Sequence, residues 1–178
     1  ALELGAQELH LQAWGADLLA CGRALAQLAP GRIWVKLPIT IAGAAAARVL
    51  IAEGCRVTFT ACYDPAQVLL AAALGADYIA PYLGRITDLG RDGHAELIRM
   101  QRIVEGVCRV DPDGRGDRSG AAPLRLLVAS LRSPSDLARL AAEGLDTFTI
   151  SPGIAEALFA VEPTLTAATQ FERDAQGT

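Results

Sequence analysis

The chain has 178 residues, a net charge of −4 and 52% hydrophobic residues, with its charged 20% spread along the length. That length suits one domain, 1–178, with a substantial core. No run reaches the roughly 20 apolar residues of a membrane span, no signal-peptide pattern opens the sequence, and no basic run could track phosphates, so neither a membrane nor nucleic acid is an expected partner.

Along the chain, short apolar runs alternate with Ala- and Leu-rich stretches. The first strand is predicted over Glu8–Ala13, where the leucines take one face and His10 and Gln12 the other. A helix over Ala16–Leu28 leads to a strand at Ile33–Ile39, then a helix at Ile41–Glu53 and a strand at Arg56–Cys62. The next pair is a helix over Asp64–Leu74 and a strand over Tyr78–Leu83. Arg85–Arg91 alternates in sign and reads as a loop on composition, before a helix over Leu89–Cys108. Asp111–Ala122 is a polar Gly/Asp/Arg segment whose RGD string reads as a solvated loop tip rather than an adhesion motif. A strand over Leu124–Ser130, a helix over Ser135–Glu143 and a strand over Thr147–Ser151 follow, and residues 160–178 form a C-terminal helical arm. Glycines at 54, 75 and 144 follow helix ends, and Ser133-Pro134 and Asp64-Pro65 mark helix starts.

Strands alternating with helices predict a parallel sheet with right-handed crossovers. Lys36, Thr58, Thr60, Tyr82 and Ser130 fall on the face away from the helices, mostly near the C-terminal ends of their strands. An open doubly wound sheet would bury both faces, whereas polar groups at the C-terminal ends of parallel strands suit a β/α (TIM) barrel. Such a barrel takes eight strands and about 250 residues. The six strands legible here predict one that lacks its first two βα units, through an incomplete reading frame, a natural truncation or completion by another subunit.

Among the cations are fifteen arginines and one lysine, Lys36, inside the apolar run Ile33–Ile39. Arg stays protonated in proteins, whereas a lysine amine taken out of water becomes a nucleophile able to form a Schiff base with a carbonyl. The alternative is a strand-end lysine that snorkels to solvent. Cys21, Cys55, Cys62 and Cys108 lack C-x-x-C spacing and read as reduced core thiols of a cytoplasmic protein, and with His10 and His94 alone a histidine metal centre is not expected. His10, two residues deeper than Gln12, reads as a core histidine, and Trp14, Tyr63 and Tyr78 as packing residues.

Several strings resemble one known family. They are Val35-Lys36-Leu37-Pro38-Ile39-Thr40, Ala52-Glu53-Gly54, Thr58-Phe59-Thr60-Ala61-Cys62-Tyr63, and Gly75-Ala76-Asp77-Tyr78-Ile79-Ala80-Pro81-Tyr82-Leu83-Gly84-Arg85 with Asp88 and Gly93. Val128-Ala129-Ser130-Leu131-Arg132 and Gln170-Phe171-Glu172-Arg173-Asp174 continue in order. From about Leu9 onward the chain resembles the transaldolase and fructose-6-phosphate aldolase family. The resemblance implies a Schiff base on Lys36, Tyr82 as general acid/base, and Gln12 and Thr60 holding a catalytic water. It implies no cofactor and no metal, and it implies a substrate that is a sugar phosphate or dihydroxyacetone plus an aldehyde. Arg85 and Ser130, with Arg132 at the rim, would bind phosphate. The Gln12/Tyr82 pair is similar to the aldolase branch, since the transaldolase branch looks to carry Glu and Phe there. On the residues alone, Gln12 could serve only a hydrogen-bond network, Arg85 an ion pair with Asp88, and Ser130 a turn. The family's first two strands, with an Asp and a TTNP-like motif, have no counterpart here. Its ring-like homo-oligomers, in which the C-terminal helix reaches a neighbour, make self-association a further expectation.

Overall fold

The computed structural model of the protein describes residues 1–109 and 123–177. The segment Asp111–Ala122 with its RGD string, and the Cys108 thiol, lie outside the described residues. Five strands form one parallel sheet in the order β1-β2-β3-β4-β5: β1 Leu9–Gln12, β2 Ile33–Pro38, β3 Arg56–Cys62, β4 Tyr78–Pro81 and β5 Arg125–Leu126. The helices are α1 Leu18–Gln27, α2 Ile41–Ala52, α3 Ala66–Leu74, α4 Leu83–Asp88, α5 Gly93–Arg109, α6 Pro134–Ala142, α7 Pro152–Ala157 and α8 Glu162–Ala175. Each crossover from β1 to β4 carries a helix, as parallel neighbours require.

Local chemistry explains most boundaries. Asp17 caps α1 through Ala20 N–H, and Thr40 caps α2 through Gly43 N–H. Ser133 and Asp136 form a reciprocal capping box ahead of Pro134 on α6. Gly75 ends α3 at φ 76°, a left-handed conformation that a side chain disfavours.

The sheet departs from the expected barrel in being open. The sixth expected strand, Thr147–Ser151, contributes only a parallel bridge from Phe148 to Val128. The fifth is shorter than predicted, two residues of ladder followed by single bridges at Val128 and Ala129. Its end is set by Ser130, whose backbone turns to φ 60°. The expected loop over Arg85–Arg91 is also corrected, because Leu83–Asp88 is helical. Leu83 and Ile86, three residues apart, are both buried and anchor that turn, while Arg85 and Asp88 point outward. Overall composition is blind to such spacing. Helix α7 was not anticipated, although Ser151-Pro152 repeats the start signal of α6 and the Ser151 hydroxyl accepts from Ile154 N–H.

The sheet has two unlike faces. Val35, Leu37, Val57, Phe59 and Ile79 are fully buried on the outer face against the helices, in one core with Leu50, Val68 and Met100. The inner face carries a second, smaller cluster of Trp34, Tyr78, Ala80 and Leu127, with Tyr82 against it. Cys62 belongs to the outer core, where burial pushes its thiol up to about 12, and Cys21 and Cys55 pack against that core. Trp14, expected to pack, is instead 74% exposed in the loop after β1. Helix α8 buries none of its residues and exposes Leu165 and Phe171. No helix among the described residues is long and apolar enough to cross a membrane.

Candidate active site

Alternation along parallel strands places every second residue on the inner face. Register then sets Gln12 of β1 beside Lys36 of β2, and Lys36 beside Thr58 of β3. Lys36 is half-buried, and its amine has no hydrogen-bond or ion-pair partner among the described residues. The Gln12 amide donates to Ala13 O at 2.9 Å and to Lys36 O at 3.1 Å. Its N–H groups therefore hold the strand ends together, and its oxygen is left to accept.

One register step on, Pro38 faces Thr60, which is 3% exposed and shares a short hydrogen bond with the Tyr82 hydroxyl. A register shift between Phe59 and Cys62, with Ala61 at φ 56°, sits beside Thr60. Bulges of this kind re-aim side chains, and a non-glycine residue in that region costs about 1–3 kcal/mol. No Gly or Asn marks the position, so this turn could not be read from residue type. The Tyr82 ring meets Tyr63 edge-on at 5.7 Å, and the Arg85 guanidinium lies over it at 4.8 Å. The Tyr63 hydroxyl raises the Arg85 pKa further. Tyr63 packs against the outer core, as expected, and its ring also borders this group.

Next to this group, the β4–α4 turn meets the segment after β5. Gly84 N–H donates to Ser130 O at 2.9 Å, and a Cβ on Gly84 would sit 2.6 Å from that oxygen and 2.7 Å from Arg132 Nε. Only glycine permits that approach, a requirement unread from the sequence. Arg132 donates to Gly84 O at 3.1 Å and pairs with Asp88. Asp88 is therefore the partner of Arg132 and not of Arg85. Asp136 fixes the segment by accepting from the N–H groups of Arg132 and Ser133, each at 3.1 Å. Burial works to raise its pKa, but these bonds outweigh it and hold the carboxyl below the usual range.

Deeper on the inner face, the His10 ring stacks on Trp34 at 5.6 Å and meets Tyr78 edge-on at 5.1 Å. Its Nδ1 is 2.8 Å from Thr58 Oγ1 and its Nε2 3.2 Å from Glu8 Oε2. Burial first, and the Lys36 charge further down the order, lower its pKa, against the raising effects of Glu8 and Asp77. Clefts of about 480 and 530 Å³ lie elsewhere, one lined by Arg23, Glu53 and Cys55 and one between α1 and α2. Neither includes Lys36, because the inner face of an open sheet is not an enclosed cavity.

The parallel sheet of this α/β protein thus carries a lone lysine, a hydroxyl pair and arginines along its strand ends. The chain belongs to the family described as Transaldolase/Fructose-6-phosphate aldolase, whose sequence profile matches residues 14–177. It is 37% identical over 161 residues to a protein of Rhodospirillum centenum named "Probable transaldolase", covering 90% of this chain and 64% of that protein. A protein of the same name from Phenylobacterium zucineum is 37% identical over 142 residues, covering 80% of this chain and 59% of the relative. The chain thus spans about three fifths of the length of these relatives. Among solved structures, a thiamine phosphate pyrophosphorylase from Pyrococcus furiosus aligns with a TM-score of 0.47 at 16% identity over 88% of this chain and 81% of that one, too distant to bear on fold or function.

Proposed function

We propose that this protein is a class I aldolase of carbohydrate metabolism that cleaves or forms fructose 6-phosphate or a related ketose through a Schiff base on Lys36. The observation that carries this reading is the only lysine of the chain, half-buried and unpartnered among the described residues, in register with Gln12 and one step from the Thr60–Tyr82 hydroxyl pair.

The Lys36 amine adds to the ketose C2 carbonyl, and the carbinolamine loses water to give an iminium. Removal of the C4 hydroxyl proton then breaks the C3–C4 bond, releasing glyceraldehyde 3-phosphate and leaving an enamine. Tyr82 is the general acid/base, working through a water held by the Gln12 oxygen and Thr60. Protonation at C3 and hydrolysis release dihydroxyacetone and restore the amine. The ketose phosphate is held by Arg85 and Ser130, with Arg132 contributing from the rim; the Arg85 guanidinium has no acidic partner among the described residues. In the full barrel that we propose, the inner face is the interior and α8 meets a second copy through Leu165 and Phe171, in a homo-oligomer of the cytoplasm.

A second reading is transfer of the dihydroxyacetone unit to an aldose phosphate, a transaldolase reaction. The names of the curated relatives favour it, whereas Gln12 and Tyr82 favour the aldolase. Borohydride trapping with dihydroxyacetone or fructose 6-phosphate, read by peptide mass spectrometry, tests the shared step. A reduced adduct on the Lys36 peptide, absent in Lys36→Met, is expected. No adduct on a chain folded by circular dichroism overturns the reading.

A further inference from the structure

We propose that His10 is a positioning residue for the Lys36 amine and acts on it through the Thr58 hydroxyl, an inference that rests on the Schiff-base reading above. His10 packs as the expected core histidine, against Trp34 and Tyr78, and the register adds where its hydrogen bond runs. His10 stands on β1 and Thr58 on β3, so their 2.8 Å contact arches over β2 on the inner face. Beneath that bridge, β2 contributes Trp34, in register with His10, and Lys36, in register with Thr58. The bridge therefore runs beside the stem of Lys36. The imidazole is clamped by Trp34 below and Tyr78 at its edge. Thr58 is 0% exposed, so its hydroxyl has no bulk water to turn to.

The hydrogen-bond roles follow from Glu8. A carboxylate only accepts, so the neutral ring carries its proton on Nε2 toward Glu8 and presents Nδ1 as an acceptor. Thr58 then donates its single proton to Nδ1, and its oxygen remains an acceptor for an N–H of its register partner, Lys36. The free amine makes no such bond in this structure; it is the iminium N–H formed on Lys36 that this acceptor holds in the proposal. When the ring gains a second proton, Nδ1 becomes a donor and Thr58 must accept from it. Thr58 then spends one of its two lone pairs on the ring and turns its own proton toward the amine side, so its acceptor capacity there is halved and a positive charge is added. Neutral His10 thus supports the iminium and protonated His10 opposes it.

The groups that face His10 are Glu8 ahead of β1, Lys36 on β2, and Asp77 and Tyr78 at β4. Arg56 lies over the Trp34 ring, and Arg125 lies over the Tyr78 ring and donates to its hydroxyl. The Lys36 charge works with burial, the larger cause, to lower the imidazole pKa.

Two measurements on the full chain test this. In the first, the His10 ring is titrated by NMR in the wild type and in Lys36→Met, with His94, the only other histidine, as internal reference. The His10 pKa is expected to rise in Lys36→Met. An unchanged value overturns the proposal, whatever the chemistry does. In the second, the pH dependence of borohydride trapping is compared between wild type and His10→Phe, which keeps an aromatic ring between Trp34 and Tyr78. The wild type is expected to trap roughly tenfold faster at pH 8, as for loss of a hydrogen bond to a charged group, with the advantage shrinking only at acid pH, as the imidazole, whose pKa burial lowers, takes up its proton. Thr58→Val is expected to behave like His10→Phe. A constant ratio at every pH reduces His10 to a packing residue and overturns the proposal. An intact NMR coupling with no trapped adduct in any protein instead overturns the Schiff-base reading, and the positioning role with it.

Discussion

The two faces of this sheet are made by the same strands yet obey different rules. On the outer face, β2 and β3 contribute Val35, Leu37, Val57 and Phe59, all fully buried in a continuous aliphatic core. Their alternate residues on the inner face are Trp34, Lys36, Thr58 and Thr60: Trp34 stacks on His10, Thr58 and Thr60 hydrogen-bond to His10 and Tyr82, and the Lys36 amine has no such partner among the described residues. The outer face is non-directional, and its worth scales with the area removed from water. The inner face is directional, because a buried hydroxyl needs a particular partner at a particular angle. Mutations on the two faces should therefore separate stability from chemistry.

Tyr82→Phe carries the largest expected effect. It removes the hydroxyl bonded to Thr60 and should slow trapped-imine formation with dihydroxyacetone by about 10²–10⁴-fold, the usual worth of a general acid/base. Urea unfolding should move by only about 1 kcal/mol. A rate unchanged in this variant would remove Tyr82 from the chemistry. Phe59→Ala is the outer-face counterpart, expected to cost about 3–5 kcal/mol in urea through the cavity it opens in a fully buried site. At temperatures where the variant remains folded, its trapping rate should stay near wild type; a parallel loss would show that the faces are not separable. Gly84→Ala lies at the seam. Its new Cβ would press on Ser130 O and Arg132 Nε, so about 1–3 kcal/mol of destabilisation is expected. Its effect on sugar phosphate should fall on KM more than on kcat if Ser130 and Arg132 hold phosphate.

Much of this arrangement was legible in the chain. The apolar alternation located β1 to β4 to within a residue or two, and the solitary lysine and its inner-face company were visible from period alone. What failed, failed for local reasons. Charge alternation over Arg85–Arg91 concealed a short helix because only two residues, Leu83 and Ile86, needed burial to hold it. Trp14 was expected to pack, but a loop position leaves it in solvent. The alternative of an ion pair between Arg85 and Asp88, close in sequence, gave way to a contact of Asp88 with Arg132, 44 residues away. His10, by contrast, packs as the core histidine expected, and what its own strand could not show is that its hydrogen-bond partner lies two strands across.

By itself the sequence determined the alternation of strands and helices, the two-faced character of each strand and the candidate amine, because these depend on periods of two and 3.6 that each segment carries within itself. It also determined the family, through strings whose order survives without knowledge of any contact. Tertiary structure alone decided that the sheet stays open among the described residues, that Ala61 and Ser130 turn into the left-handed region, that Gly84 must lack a side chain, and that His10 reaches Thr58 across β2. Each of those depends on where one strand lies against another. Register and close approach are properties of pairs of segments, and no single segment encodes them.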